Sequence, residues 1–278
     1  MDRRTVLITG CSSGFGKLAA RTFSSRGWNV VATMRSPERE TDLTGLDGVL
    51  VTRLDVREPA SIAAAVAKGI AEFGAIHAVV NNAGYGSNAL FEQSPEASIR
   101  DIYETNVFGL MNVMRRTLPD MRRRGSGCIV NVTSMAGLLG LLGNSVYSSS
   151  KFAVEGLTEA LALEYKPLGI RIVSVAPGAY GTAFGANADN YLGVGGTQLV
   201  EHSRKLRDHF AAVVASRGEP QDPQEVADKI YECVTADEVP VHNPVGADAL
   251  RLNNLLESSP TRQDFIVALE RMLLPPTP

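Results

Sequence analysis

The sequence predicts an α/β fold: one doubly wound, mostly parallel sheet of about seven strands with helices on both faces. Three observations predict it. Short apolar runs alternate with stretches of helical spacing from residue 5 to beyond residue 240, which is the signature of successive strand–helix–strand units. The first apolar run ends in a glycine-rich turn that opens a helix. No repeat, low-complexity tract or linker interrupts the 278 residues. Residues 1–278 are therefore read as a single domain, with 183–217 as a substrate lid and 243–278 as a C-terminal helical extension.

Residues 5–9 read as a short buried strand. Gly10, Ser12, Ser13, Gly14, Phe15 and Gly16 form the turn after it, and Leu18, Ala19 and Phe23 follow at helical spacing. The glycines let a ligand approach the backbone. The free N–H groups of the helix start suit a pyrophosphate. Residues 29–33 form the second strand, and the residues at its end bear on cofactor choice. A carboxylate there would bind ribose hydroxyls. This chain has Met34 and then Arg35, and a guanidinium suits a ribose phosphate. NADP(H) is therefore preferred over NAD(H).

A third strand covers 49–54 and ends at Asp55. Ile62, Val66 and Ile70 mark a helix, and 77–80 make a fourth strand closed by Asn81, Asn82, Ala83 and Gly84. After Pro95, the residues Ile99, Ile102, Asn106, Leu110, Val113 and Met114 fall three or four apart on one long helix. Asn106 thus lies on an apolar stripe, where a buried amide needs partners. It is either a core amide satisfied by nearby backbone or the holder of a water or a lysine.

Residues 129–132 give the fifth strand. Phe152, Val154, Leu157, Leu161 and Leu163 give the helix that follows. Between them stand Ser134, Tyr147 and Lys151. Tyr147 and Lys151 are four apart, hence on one helix face. A free phenol has a pKa of about 10, and a nearby ammonium favours its ionised form. Ser134, leaving the strand, could hold a substrate oxygen against that hydroxyl. The arrangement suits acid–base chemistry on a carbonyl or alcohol without a histidine or a metal.

A sixth strand spans 170–175 and runs into Pro177, Gly178, Ala179, Tyr180, Gly181 and Thr182. The glycine-rich stretch 184–197 has the composition of a mobile lid. Helices are expected at 199–217, 223–237, 246–256 and 264–274, with a last strand at 239–242. The formal charge of −3 gives no reason to expect a nucleic-acid partner. Three dispersed cysteines and four histidines without ligand spacing imply neither a disulfide framework nor a metal site, and fit a reducing, cytoplasmic setting. No apolar run is long enough for a membrane span.

Taken in order, TGCSSGFG at 9–16, LDV at 54–56, NNAG at 81–84, Asn106, Ser134, YxxxK at 147–151 and PG at 177–178 make the chain resemble the short-chain dehydrogenase/reductase family. The likeness is to its compact single-domain type, with a Rossmann-type fold. Finer patterns make it similar to the branch holding hydroxysteroid and retinol dehydrogenases.

The resemblance implies that Tyr147 is the acid/base and that Lys151 lowers its pKa and holds the nicotinamide ribose. It implies that Ser134 polarises the carbonyl and that Asn106 supports a water linking Lys151 to solvent. Gly10, Ser12, Ser13, Gly14, Phe15 and Gly16 would surround the pyrophosphate, and Arg35 would meet the 2′-phosphate. Asp55 and Val56 would face the adenine, and Asn82, Ala83 and Gly84 would pass under the ribose and ring. Pro177, Gly178 and Thr182 would border the nicotinamide. Tyr85, Leu139, Leu142, Tyr180, Phe184 and Tyr191 would line an apolar pocket. The implied activity is NADP(H)-dependent interconversion of an apolar ketone or aldehyde and its alcohol. The alternatives are a 3-oxoacyl-thioester reductase and, more remotely, a non-catalytic NADP-sensing regulator. Pairing through helices near 99–122 and 152–166 into a homodimer or homotetramer is also implied.

Overall fold

The computed structural model describes residues 3–186, 188–215 and 221–274. The expectations for residues 1–2, 187, 216–220 and 275–278, including the far end of the expected lid, lie outside the described residues. In chain order the elements begin with β1 (Thr5–Thr9), α1 (Gly14–Ser25), β2 (Asn29–Met34), β3 (Val49–Arg53), α2 (Pro59–Phe73) and β4 (Ala78–Asn81). Next come β5 (Ser87–Asn88), α3 (Glu96–Tyr103), α4 (Leu110–Arg124), β6 (Gly127–Val132), α5 (Ser145–Tyr165) and β7 (Ile170–Pro177). The chain closes with α6 (Ala183–Ala186), β8 (Asp189–Asn190), α7 (Thr197–Ala215), α8 (Gln224–Thr235), β9 (His242–Val245), α9 (Ala247–Ser258) and α10 (Arg262–Leu273).

Seven strands form one sheet in the order β3-β2-β1-β4-β6-β7-β9. Every pairing is parallel, so the expected mostly parallel sheet is wholly parallel. Strand order reverses between β1 and β4, and the C-terminal ends of both point to the same edge. Such an edge is where open α/β sheets bind ligands. Side chains alternate between two apolar cores, as the strand pleat requires. Val6 and Ile8 join α1 and α8 on one face. Leu7 and Ile129 join α2 and α4 on the other. His77 is structural, its Nδ1 accepting from the Thr5 N–H at 3.0 Å.

Three differences from the sequence reading have physical causes. The last strand is shifted to His242–Val245, because Ser174 N–H bonds Val241 at 2.7 Å and Ser174 pairs with His242. Pro244 is tolerated because β9 is an edge strand. The long helix after Pro95 is broken by a π-helical turn at Glu104–Gly109. A short parallel pair, β5 with β8, ties the segment after Gly84 to the expected lid. Two residues per strand are too few to show periodicity.

A third cluster sets the C-terminal extension against the turn after Ser134. Met135 and Leu139 pack with Ala249, Leu252, Phe265, Leu269 and Leu273. Phe265 is fully buried there. Truncation to alanine is expected to cost about 3–5 kcal/mol. Urea unfolding followed by fluorescence of the single Trp28 measures it; a loss under about 1 kcal/mol would show that the extension is not part of the cooperative fold.

Candidate functional site

The site lies where β1, β4, β6 and β7 end together. The β1 end is braced from β4. Asn82 Nδ2 donates to the carbonyls of Thr9 at 2.9 Å and Gly10 at 3.1 Å, and the N–H groups of Asn82 and Ala83 both reach Thr9 Oγ1. The side chain of Asn82 therefore holds the glycine turn. Gly10 and Gly14 have φ of 74° and 55°, a region that penalises any Cβ. Ser13 precedes α1 in extended conformation with no side-chain cap, and Ser12 and Ser13 are exposed. The first amides of α1 thus lack a protein partner from the cap residue and face a cradle of small residues. That cradle fits a pyrophosphate.

The remaining expected cofactor residues border this cradle in different ways. Arg35 is exposed just past β2, with no ion pair among the described residues. Lys17, on α1, is engaged by Glu40 and Asp42. Asp55 Oδ1 accepts the Arg57 N–H at 3.0 Å. Val56 is buried in the core, packed where a side chain on Gly109 would fall. Only its backbone can meet a ligand. Thr182 lies across from Gly14, whose Cβ would sit 3.7 Å from Thr182 Cβ. The β7 end and the glycine turn therefore face one another.

The candidate proton-handling groups come from the end of β6 and from α5. Ser134 opens a single 3-10 turn, and its Oγ accepts from Ala136 N–H at 3.1 Å. Its own proton remains free to donate. It lies beside the Tyr147 hydroxyl, where its hydrogen bond lowers the phenol pKa against a larger opposing effect of burial; the net result is a pKa pushed up to about 12. The Lys151 ammonium, buried, donates to the Val132 carbonyl at 3.0 Å and lies 5.6 Å from the Tyr147 ring centre. Burial lowers its pKa to about 8, with the Glu155 charge acting in the opposite sense. The acidified phenol of the sequence reading is thus not what this arrangement holds, because the amine bonds backbone and burial dominates.

Asn106 sits within the π-helical turn and is 2% exposed. Its Oδ1 accepts Tyr85 N–H at 3.0 Å, and its Nδ2 donates to Tyr85 O at 2.9 Å and Ser150 Oγ at 3.1 Å. Its amide is the satisfied one of the two readings. It also stands at Gly84, where a Cβ would lie 3.0 Å from Asn106 Oδ1 and 3.7 Å from Lys151 Nζ. Asn106, Gly84 and Lys151 are therefore brought together.

The expected pocket residues divide. The Phe184 ring centre is 5.5 Å from that of Tyr147, so Phe184 covers the phenol. Leu142 lines a cavity of about 90 Å³ with Asn88, Leu192 and Phe210. Burial pushes Tyr85 up to about 12, and the nearby charges of Asp101 and Asp189 add to this. The Tyr191 hydroxyl donates to Asp189 at 3.3 Å. Two residues do not join them. Leu139 is core, 1% exposed and packed under α9 and α10. Tyr180 turns its ring edge-on to Phe15 at 5.5 Å and donates to Glu225 at 3.0 Å. Both are apolar or aromatic residues that a composition argument cannot assign to one side of a loop.

Sequence reasoning missed a clamp on the loop after β7. Asp248, buried on α9, accepts from Ala179 N–H at 2.8 Å and from Gln221 Nε2 at 2.9 Å. Gln221 also donates to Ala179 O at 2.9 Å and accepts from Ala247 N–H at 2.5 Å. A Cβ on Gly178 would collide with the Asp248 carboxylate. In sequence Asp248 looks like an ordinary acidic residue in a first helical turn.

Comparisons with known proteins agree with this architecture. The short chain dehydrogenase family model matches residues 4–191. The 3-ketodihydrosphingosine reductase of Bacteroides thetaiotaomicron is 35% identical, covering 79% of this chain and 87% of its own. Human 17-beta-hydroxysteroid dehydrogenase type 1 is 33% identical over 98% of this chain and 86% of its own. The crystal structure of a short-chain dehydrogenase from Streptomyces avermitilis is similar with a TM-score of 0.82 and 33% identity, covering 97% of both chains.

Replacing Asp248 by alanine removes the acceptor of the Ala179 N–H. A hydrogen bond to a charged group is worth about 1.5–3 kcal/mol, so amide exchange at 178–182 should speed up roughly ten- to a hundredfold. Hydrogen-exchange mass spectrometry checks this, with a peptide from β6 as the unchanged reference. Equal exchange in both proteins would show that the clamp is idle.

Proposed function

The chain belongs to the short-chain dehydrogenase family, and we propose that it is an NADP(H)-dependent oxidoreductase interconverting a bulky, mostly apolar ketone and its secondary alcohol. The observation that carries this reading is the convergence of the Tyr147 phenol, the Ser134 hydroxyl and the Lys151 ammonium beside the glycine cradle. The cofactor supplies a hydride donor or acceptor when bound. The chain's own groups handle the proton and the geometry.

Ser134 donates to the substrate oxygen and aligns it with the phenol. With its pKa near 12, Tyr147 is protonated at neutral pH and serves as the proton donor to a carbonyl oxygen becoming an alkoxide. Lys151, with its pKa near 8, is mostly charged at pH 7. Its positive charge near the ring stabilises the phenolate left behind, until a proton from solvent restores the phenol. Phe184, its ring tilted against that of Tyr147 at 5.5 Å, adds an apolar wall beside the phenol. In the direction of alcohol oxidation the same groups act in reverse.

Arg35 supports NADP(H) over NAD(H), as an exposed guanidinium at the place where a ribose carboxylate partner would otherwise stand. Phe184 beside the Tyr147 ring, and a separate small cavity lined by Leu142, Leu192 and Phe210, support an apolar substrate. So do two relatives whose names specify a hydroxysteroid and a ketodihydrosphingosine. The second name also keeps an acyl-chain ketone in view, which joins the 3-oxoacyl-thioester alternative to the same test. Exposed Phe108 in the π-helical turn before α4, and Phe152 and Leu163 on α5, support pairing through helices near 99–122 and 152–166 into a homodimer or homotetramer. Buried free thiols at Cys11, Cys128 and Cys233 suit a cytoplasmic setting.

A screen of NADPH oxidation over steroid, retinoid, aromatic, acyl-thioester and sugar carbonyls tests the reading. Turnover confined to small polar sugars would overturn it. Tyr147→Phe should abolish turnover of the ketone found, while NADPH binding measured by fluorescence is retained; activity at the wild-type level would remove the mechanism. Arg35→Ala should raise the KM for NADPH roughly ten- to a hundredfold and leave that for NADH unchanged. An unchanged ratio would remove the NADP preference.

A further inference from the structure

Glu155 stands one turn beyond Lys151 on α5, and the proton transfer above gives it no part. It is 5% exposed, and both its oxygens are occupied. Oε1 accepts from Thr133 Oγ1. Oε2 accepts from Ser174 Oγ at 2.7 Å and lies 2.7 Å from His242 Nδ1. His242 Nε2 in turn lies 2.9 Å from Glu159 Oε1. One carboxylate thus ties the residue after β6, the middle of β7 and the start of β9 to the helix that carries Tyr147 and Lys151.

The tie reaches the site in two ways. Thr133 directly precedes Ser134, and Thr133 itself is sutured to β7 by its N–H, which donates to Val175 O at 2.8 Å. The turn after Ser134 rests on Glu155 too: a Cβ on Gly137 would lie 3.0 Å from both Glu155 Cγ and Lys151 O. Burying a carboxylate is costly unless it is paired and hydrogen-bonded. The ionisable groups near it are His242 from β9 and Lys151 and Glu159 from its own helix. From β6 and β7 it meets only the hydroxyls of Thr133 and Ser174. Lys151 in turn has Tyr147 and Glu155 as its ionisable neighbours.

We propose that Glu155 is a positioning residue of the proton-transfer site: it holds the Ser134 turn in place and provides the counter-charge of the Lys151 ammonium, while His242 pins its carboxylate from the edge strand. The proposal rests on Tyr147, Ser134 and Lys151 being the reacting groups.

The signs are fixed by the neighbours. Glu155 favours the charged form of Lys151 against burial, so Glu155→Gln lowers the lysine pKa. It also removes the main cause of the raised His242 pKa. His242 in the wild type contributes stability that is fully present below its unfolded pKa of about 6.5 and is lost as pH rises through its higher folded value.

The test uses the full chain with NADPH and the best ketone of the screen. In Glu155→Gln the alkaline limb of kcat against pH should move down by about one unit. On that limb, this is about a tenfold loss of kcat at one pH, with the KM for NADPH unchanged. Independently of activity, the His242 imidazole should titrate at lower pH by NMR, and the loss of thermal stability above pH 6.5 should shrink. If Glu155→Gln does not fold, His242→Gln, which frees one side of the Glu155 carboxylate, should still lower kcat and move the alkaline limb. A variant that loses stability or kcat without moving the limb would show a merely structural role and overturn the proposal. So would wild-type limbs in both variants while Tyr147→Phe is inactive. Full activity of Tyr147→Phe would instead fail the reading of the reacting groups, and the positioning role with it.

Discussion

The hydrogen bond from the Lys151 ammonium to the Val132 carbonyl is the constraint on which the site depends. Val132 is the last residue of β6, and beyond it the chain leaves the sheet for the Ser134 turn. A charged donor on this carbonyl is worth about 1.5–3 kcal/mol. It satisfies a terminal strand group and docks α5 at one height along the sheet. Tyr147, one turn earlier on the same helix, is thereby held over Ser134. The phenol's environment follows from this docking: the same burial that anchors the amine keeps the hydroxyl protonated. The acid–base role proposed for the pair comes from where a helix is fastened, and the burial of the two side chains is a consequence of it.

Around that fastening runs a set of buried polar links that read across the sheet. Asn81 Nδ2 donates to Asn131 at 2.9 Å, and Asn131 donates to Thr158 at 2.9 Å. These residues join β4, β6 and α5 in a single file, and Asn81 and Asn131 are register partners. The Glu155 group forms a second file nearer the strand ends. In an otherwise apolar core such links are expensive to break. They penalise any slip of α5 along the sheet by leaving amides or a carboxylate unpaired. The two files therefore define the helix position that the lysine then uses.

Much of the frame was legible because its signals are local. Glycines at 10 and 14, the strand before them and the helix after them lie within about twenty residues of chain, a βα turn. Tyr147 and Lys151 share a helix face by spacing alone. What could not be read depends on contacts distant in sequence. Leu139 and Leu142 look alike in an apolar run, yet one is covered by the C-terminal helices and the other opens onto a cavity. Tyr180 was assigned to the pocket on its aromaticity, but its partners are Phe15 and Glu225, in α1 and α8. Asp248 and Glu155 carried no pattern at all, since an acidic residue on a helix reads as solvated until the strand it meets is known. The strand at 242–245 lies three residues beyond its expected place because a four-residue edge strand containing Pro244 has almost no periodicity to fit.

The π-helical turn at Glu104–Gly109 has a consequence for how this helix tolerates change in length. Each residue added to a regular helix rotates everything after it by about 100°. An insertion would ordinarily swing Val113, Met114 and Met121 out of the core. A wide turn absorbs one residue locally, so α3 and α4 keep independent angular settings on either side of it. The segment works as a vernier: the upstream half packs against α5 while the downstream half packs against α2, and neither compromises the other. Asn106, at the slip point, is where the two settings are reconciled.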